Sequence, residues 1–444
     1  MTTTGMSRRS FVNDMTAAGL GMTVIPTLLH QRRRSPSDGL NVACIGVGGM
    51  GRSDVRGMES ENIYALCDVD AKAAEDAFRS YPDAKRYTDF REMLAREADN
   101  IDAVTVSTPD HCHAAAAMMA LKLGIPVYCQ KPLARTIGEV RALMEGARQA
   151  NVATQMGNQG HAGEGTRQIR EWVEAGAIGT VKEVQFWTNR PIWPQAIDRP
   201  LQAYYPPTYL DWNLWLGPAA DRPYAPAYAP FRWRGWWDFG TGAMGDMACH
   251  IMDAAFWTLG LRYPTTIVPE YSKLFKETAP AVSRIDYHFP ASDTRPEVTL
   301  VWRDGGLLPP KPIDWPSTMP WPPQDGGGQL WLGSDGAMVA GVYGEDPRLV
   351  NEERNRELQA NPPEEKYPRV ESVYQEWIDA IKGGPPAGSN FAGYAGPLTE
   401  MILLGNLALR LGQTIELDPT GGAITNVLVP EEWVMPTYRD GWEL

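Results

Sequence analysis

Leu40-Asn41-Val42-Ala43-Cys44-Ile45-Gly46-Val47-Gly48-Gly49-Met50-Gly51 is the stretch on which the fold turns. Its first six residues make a strand-like apolar run, and Gly46 to Gly51 then fits G-x-G-x-x-G. The motif alone is a weak signal. Placed directly after a strand and before a helix, it has the context that binding of a dinucleotide pyrophosphate demands. Gly46 allows the tight turn, Gly48 lets the backbone approach the pyrophosphate, and Gly51 permits close helix–strand packing. Gly49 and Met50 complete the loop as cofactor-binding candidates, and the helix amino terminus stabilises the anion. Asp68 ends the next strand, Asn62 to Cys67, about 20 residues after Gly48. A carboxylate there accepts the adenosine ribose hydroxyls and repels a 2′-phosphate, which favours NAD over NADP. Asp70 either assists or caps the next helix.

Working outward, further strand-like runs at residues 101–106 and 126–129 alternate with helix-like segments at 71–78, 90–96 and 113–123. Alternation of this kind predicts a parallel sheet built from βαβ units. Beyond about residue 155 the texture changes. Helices are expected over Thr166–Ala175, Ala243–Leu259, Arg369–Ile381 and Pro397–Leu411. Strands are expected at 181–188, 265–271, 283–289, 297–302, 330–332 and 337–342, with hairpin-like spacing. Residues 191–237 form a Pro-, Trp- and Tyr-rich excursion, and 304–328 and 344–368 are Pro/Gly-rich insertions. The expected fold is therefore α/β: an amino-terminal Rossmann doubly wound parallel sheet over 40–155, then an α+β domain with a mainly antiparallel sheet over 156–444.

Composition narrows the function. Of 444 residues, 43% are hydrophobic and 21% charged, which excludes a disordered chain and a polytopic membrane protein. A net charge of -13 disfavours a nucleic-acid partner. Five cysteines without a CxxC pair argue against a disulfide framework and a zinc site, and no metal is expected. At the amino terminus, Ser7-Arg8-Arg9-Ser10-Phe11 precedes a short apolar run, the layout of a twin-arginine export signal, with a linker over 31–39. The segment lacks an A-x-A cleavage site, so the expected location is periplasmic or exported, with membrane attachment through an uncleaved signal as the variant. The export machinery is then a partner.

Chemistry concentrates at strand ends. Ser107-Thr108-Pro109-Asp110-His111 follows the third long strand, and Thr108, Pro109 and His111 are candidates for a second cofactor wall. Asp110 and His111 read equally as a helix cap and a surface residue. Gln130-Lys131-Pro132 follows the strand at 126–129. Asp246, His250 and Asp253 are spaced i, i+4, i+7 and share one helical face. A Lys, an Asp and a His facing a nicotinamide can polarise a hydroxyl and remove its proton as hydride leaves.

In these motifs the sequence resembles the Gfo/Idh/MocA family, from about Leu40 to the carboxyl terminus. The likeness rests on the glycine loop with Asp68, on Thr108-Pro109-Asp110-His111, on Gln130-Lys131-Pro132, and on Asp246-x-x-x-His250 with Asp253. It implies a Rossmann domain followed by a large open sheet that often mediates oligomerisation, here a homodimer or homotetramer. It also implies a carbohydrate substrate and tightly bound NAD. By the same match, Lys131 positions and polarises the reacting oxygen, His250 is the general acid/base, and Asp246 binds substrate or holds the network. Gln130 stands where the family usually has Glu; it can hydrogen-bond a ribose but supplies no negative charge beside Lys131. Asn158, Gln159, His161, Arg190 and Trp193 are substrate-facing candidates. Trp233, Trp236 and Trp237 read either as sugar-stacking surfaces or as core.

The leading expectation is an NAD-dependent oxidoreductase acting on a sugar, polyol or glycoside. A rival keeps the fold but runs a redox-neutral cycle, in which a transient ketone acidifies the neighbouring C–H and a glycosidic bond is eliminated. Export favours that rival, because free nicotinamide cofactor is scarce outside the cytoplasm. A third reading is an inactive NAD-binding regulator, against which Lys131, Asp246 and His250 argue.

Overall fold

A computed structural model of the chain describes residues 39–313 and 315–444; the stretch read as an export signal lies outside them. Strand β1 (Asn41–Ile45) is buried almost throughout, because both faces of its sheet are covered. That is why it reads as a continuous apolar run. It pairs in parallel with β2 (Asn62–Cys67) and β4 (Ala103–Val106). Adding β3 (Lys85–Tyr87), β5 (Val127–Cys129) and β6 (Thr154–Met156) gives an all-parallel sheet ordered β3-β2-β1-β4-β5-β6. The order reverses between β1 and β4, and the crevice outside the strand ends at such a point is where an open α/β sheet takes its ligand. Helices α1 (Gly51–Gly57), α2 (Glu75–Ser80), α3 (Phe90–Glu97), α4 (Asp110–Lys122) and α5 (Ile137–Ala150) make the crossovers. A capping box between Thr136 and Glu139 starts α5, and Asn151 at φ 50° ends it.

After α6 (Glu164–Glu174), β7 (Val181–Thr188) enters the interior of a second sheet. Its order is β13-β12-β11-β7-β10-β9-β8-β14. The remaining strands are β8 (Thr266–Tyr271), β9 (Ser283–Phe289), β10 (Val298–Arg303), β11 (Gly327–Gly333), β12 (Gly336–Ala340), β13 (Arg348–Leu349) and β14 (Ile415–Glu416). Pairing is antiparallel except between β7 and β10. The excursion contains the short α7 (Trp212–Leu216) and is followed by α8 (Gly242–Ile251) and α9 (Asp253–Thr258). Later come α10 (Glu352–Ala360), α11 (Val373–Ile381) and α12 (Gly396–Leu411). Helix α12 is nearly all buried and packs on α5, α8 and β8, so one core runs from the first sheet into the second. Among the described residues no helix is long and apolar enough to cross a membrane. All five cysteines are buried and unpaired.

The structure departs from the sequence expectations at instructive points. The helix expected over 71–78 starts only at Glu75, because the Asp70 carboxylate accepts the amides of Lys72 and Ala73 and holds a turn there. Asp70 is thus a local cap. The helix expected over 243–259 is two helices parted at Met252, and Asp253 opens the second. The insertion at 344–368 holds β13 and α10. The insertion at 304–328 covers part of the outer face of the second sheet. Phe186 faces the main core, while its neighbour Trp187 points the other way and meets Trp315, Met319, Leu330 and Val339.

That cap carries a stability prediction. Trp315→Ala removes the lid over Leu330 and Val339 and should cost about 3 kcal/mol. A urea titration should show a lowered midpoint, with NAD affinity unchanged because the first sheet is untouched.

Candidate functional site

The glycine loop is shaped by contacts that a side chain would block. A Cβ on Gly46, which stands at φ +77°, would lie 2.7 Å from the Ser107 carbonyl oxygen, and one on Gly51 would lie 1.9 Å from the Gly46 carbonyl oxygen. Asp68 locks the turn from below. One carboxylate oxygen accepts the amides of Val47 at 2.8 Å and Gly48 at 3.1 Å, and the other accepts Asp70 N–H at 2.9 Å. Burial pushes the Asp68 carboxyl up, and these amides oppose the shift. The amides of Gly49 and Met50 meet no acceptor among the described residues, and both residues are exposed. A Cβ on Gly49 would meet nothing within 4 Å. The Thr108 hydroxyl, beside Pro109 at the start of α4, is buried without a partner. Free amides over open space, a nearby orphaned hydroxyl and a carboxylate at the end of β2 fit a dinucleotide.

His111 does not belong to that wall. It is fully buried, with Nε2 2.9 Å from the Trp215 carbonyl and Nδ1 3.3 Å from that of Phe239. Burial lowers its pKa to about 3. It fastens the aromatic excursion to α4, which is the reason it faces away from the cofactor crevice. His113 instead spans the carbonyls of Thr108 and Pro132, at 2.8 Å each, and so ties the two strand-end loops together.

Lys131 and Asp246 do meet. Lys131 Nζ donates to Asp246 Oδ1 at 3.1 Å and to the Asp246 carbonyl at 2.6 Å. Arg234 Nε donates to the same Oδ1 at 3.0 Å. Burial pushes the Asp246 carboxyl up, but the two cations outweigh it and hold it below the ordinary carboxylate range. His250, one turn further along α8, is buried, and its ring lies 4.8 Å from that of Tyr343. Burial, reinforced by the Lys131 charge, lowers its pKa to about 3, so it is neutral at physiological pH. Its Nδ1 is enclosed without a partner. Asp110 accepts Thr241 O–H at 2.8 Å, and burial raises its pKa to about 7 against the pull of Lys131 and Arg234.

The other expected residues divide. Gln130 hydrogen-bonds Asp54 through its amide nitrogen. Asn158 and His161 are buried and turn to Asp253, which takes Asn158 Nδ2 at 3.1 Å, His161 Nδ1 at 3.2 Å and Tyr394 O–H at 2.6 Å. That knot gathers Asn158, His161 and Tyr394 around Asp253, which opens a separate helix beyond Met252. Gln159 lines a groove of about 1340 Å³ with Met50, Ser53, Tyr343 and Tyr374. Arg190 bonds its neighbour Asn189 and is not gathered with Lys131. Trp193 is buried, with Nε1 donating to Gln195, and reaches the site only through its ring beside Arg234. Trp233 packs on Arg234 at 4.3 Å, while Trp236 is core. Arg234, Asp54 and Tyr343 escaped the sequence reading. Arg234 sits in Arg232-Trp233-Arg234-Gly235-Trp236-Trp237, where nothing marks one arginine over the other. Asp110 had a visible signal, its place after a strand end, but its burial was not legible.

Known proteins share this frame. Residues 40–158 match the Gfo/Idh/MocA oxidoreductase family's NAD-binding Rossmann fold, and residues 165–290 match the family's C-terminal alpha/beta domain. Levoglucosan dehydrogenase of Pseudarthrobacter phenanthrenivorans is 24% identical over 234 residues, covering 50% of this chain and 51% of that protein. Inositol 2-dehydrogenase of Burkholderia multivorans is 32% identical over 146 residues, covering 32% of this chain and 43% of that protein. The chain thus spans about half or less of the length of these curated relatives. Among solved structures, the WlbA dehydrogenase from Bordetella pertussis in complex with NADH and UDP-GlcNAcA is similar in fold. It has a TM-score of 0.59 and 17% identity, covering 86% of this chain and 99% of that one. The two matched domains together span more than half of the chain, and the chain belongs to the Gfo/Idh/MocA oxidoreductase family.

Proposed function

We propose that the protein is an NAD-dependent dehydrogenase that oxidises a hydroxyl of a sugar, polyol or glycoside. The observation that carries this reading is the convergence of Lys131, Asp246 and Arg234 near His250, at the carboxyl edge of an NAD-binding sheet. Relatives named levoglucosan and inositol dehydrogenase support a polyhydroxylated substrate. NAD, when bound, takes up the hydride. Lys131 commits hydrogens to Asp246 Oδ1 and to the Asp246 carbonyl, which leaves one for the substrate oxygen. Its charge stabilises the alkoxide character that develops as hydride leaves. Neutral His250 receives the hydroxyl proton on Nε2, the ring nitrogen that the protein does not enclose. Asp246 stays ionised between two cations and therefore orients Lys131 instead of carrying the proton.

The excursion supports cofactor retention. Ala71 N–H donates to the Tyr209 carbonyl and Asp211 N–H to the Val69 carbonyl, both at 2.9 Å, immediately beyond Asp68. The excursion thus straps the adenosine side of the site, which supports NAD that stays bound between turnovers. Export rests on Arg8 and Arg9; Arg8→Lys with Arg9→Lys should leave the protein in the cytoplasmic fraction. The redox-neutral glycoside cleavage is supported by the 1340 Å³ groove beside Tyr343, which has room for more than a single sugar ring. Mass spectrometry for bound nucleotide, followed by a glycoside panel assayed without added NAD, separates the two. Net NADH accumulation supports the dehydrogenase, and cleavage without it supports the cycle.

Lys131→Met and His250→Ala should each retain NAD binding and slow single-turnover NAD reduction by ~10²–10⁴-fold. Reduction at the unmodified rate by both variants would place the chemistry elsewhere.

Asp110 gives a pH signature. Its folded pKa of about 7 stands above the ordinary 3.8. The unfolded chain therefore ionises first, so stability falls as pH rises from about 4 to 7 and is level above. Asp110→Asn removes that loss, and its melting temperature should gain on the parent across this window by the equivalent of at most about 4 kcal/mol. A pH-independent difference in melting temperature would contradict the assignment.

A further inference from the structure

Asp54 lies inside α1, directly behind the glycine loop, and is fully buried. Three side chains from three other segments donate to it. Ser107 Oγ, at the end of β4, reaches Oδ2 at 2.5 Å. Gln130 Nε2, at the end of β5, lies 2.9 Å from Oδ1 and 3.0 Å from Oδ2. Tyr374 O–H, from α11, reaches Oδ1 at 2.8 Å. Among the described residues no cation forms an ion pair with this carboxylate. Burial pushes its pKa up, and the three donors oppose the shift. An ionised group buried in this way is tolerated only when hydrogen bonds satisfy it.

The arrangement dictates how Gln130 is oriented. A carboxylate only accepts, so the Gln130 amide turns its NH₂ inward and leaves Oε1 as the outward atom. In the protein Oε1 meets only a long contact of 3.4 Å from the Lys131 amide. It is thus weakly engaged at the strand end beside Lys131. A glutamate at 130 would set two buried carboxylates about 3 Å apart, which accounts for the glutamine.

We propose that Asp54 and Gln130 act as one unit in the cofactor site. Asp54 fixes the Gln130 amide from one layer back, and Gln130 presents Oε1 as a fixed acceptor to a hydroxyl of the nicotinamide-side ribose. Asp54 is a positioning residue in this scheme, acting through Gln130. The pair rests on the NAD site described above.

The test exchanges the two groups in the full-length protein and reads NAD affinity by calorimetry, alongside melting temperature and the KM–kcat split for NAD. In Asp54→Asn one of the two oxygens that accept Gln130 Nε2 becomes an NH₂, so Gln130 loses its two-oxygen anchor and Oε1 is no longer held as the acceptor facing the ribose. Gln130→Glu creates the carboxylate pair. Each single variant should bind NAD about tenfold more weakly or worse, with KM for NAD raised more than kcat is lowered. Asp54→Asn with Gln130→Glu restores one carboxylate and one amide. It should return affinity to within about threefold of the unmodified protein, and it should recover folding if Gln130→Glu alone misfolds. A double variant no better than the sum of the singles, or one that stays unfolded, overturns the pairing. Unchanged affinity in Asp54→Asn overturns it as well. No NAD binding by the unmodified protein would overturn the site itself together with the pair.

Discussion

Asp246 Oδ1 accepts Lys131 from the end of β5 and Arg234 from the aromatic excursion, and that shared atom registers three parts of the chain. The Rossmann sheet, the helix α8 and the excursion cannot shift relative to one another without separating buried charges. Removing the carboxylate would leave two cations facing each other with little solvent, a costlier state than never having buried them. The rest of the site's electrostatics follows. Burial, reinforced by the nearby Lys131 charge, keeps His250 neutral. The two cations hold the Asp246 carboxyl below the ordinary range despite its burial.

Three aspartates near the strand ends show how environment divides roles among identical groups. Asp246 has two cations and is held below the ordinary range. Asp110 has a threonine hydroxyl and more distant cations, and burial prevails to put it near 7. Asp54 has only neutral donors, from Ser107, Gln130 and Tyr374. All three are buried, and the donors around each decide how far burial shifts it.

Much of this was legible in the chain. The strand–glycine loop–helix order and Asp68 read directly, because backbone geometry forces particular residue types at fixed spacing. Lys131 and Asp246 also read, because strand ends and helical spacing are local properties. What failed depended on side chains choosing between partners far apart in sequence. His111 and His161 look like site histidines, but carbonyls at 215 and 239 and the carboxylate at 253 claim them. Helical spacing placed Asp253 beside His250, and a break at Met252 sent it to a separate knot. Arg234 could not be chosen over Arg232, since only the fold shows which one reaches Asp246.

The tryptophans make a related point about specificity. Their number suggests a sugar-stacking surface, yet Trp215, Trp233 and Trp236 build the interior of the excursion, and Trp187 and Trp315 seal one half of the second sheet. They are scaffold, and what the scaffold delivers is Arg234 and the strap beside Asp68. The aromatic surface left exposed near the charged cluster is Phe231 under the Arg234 guanidinium and Tyr343 on the edge of His250, at 43% and 45% exposure. Tyr343 lies beyond residue 290, outside the segments that match the family. Lys131, Asp246 and His250 lie inside them. One fold takes many functions when a shared frame carries a separately built rim. In this chain the rim is set by packing around residues 191–237 and by the turn that carries Tyr343.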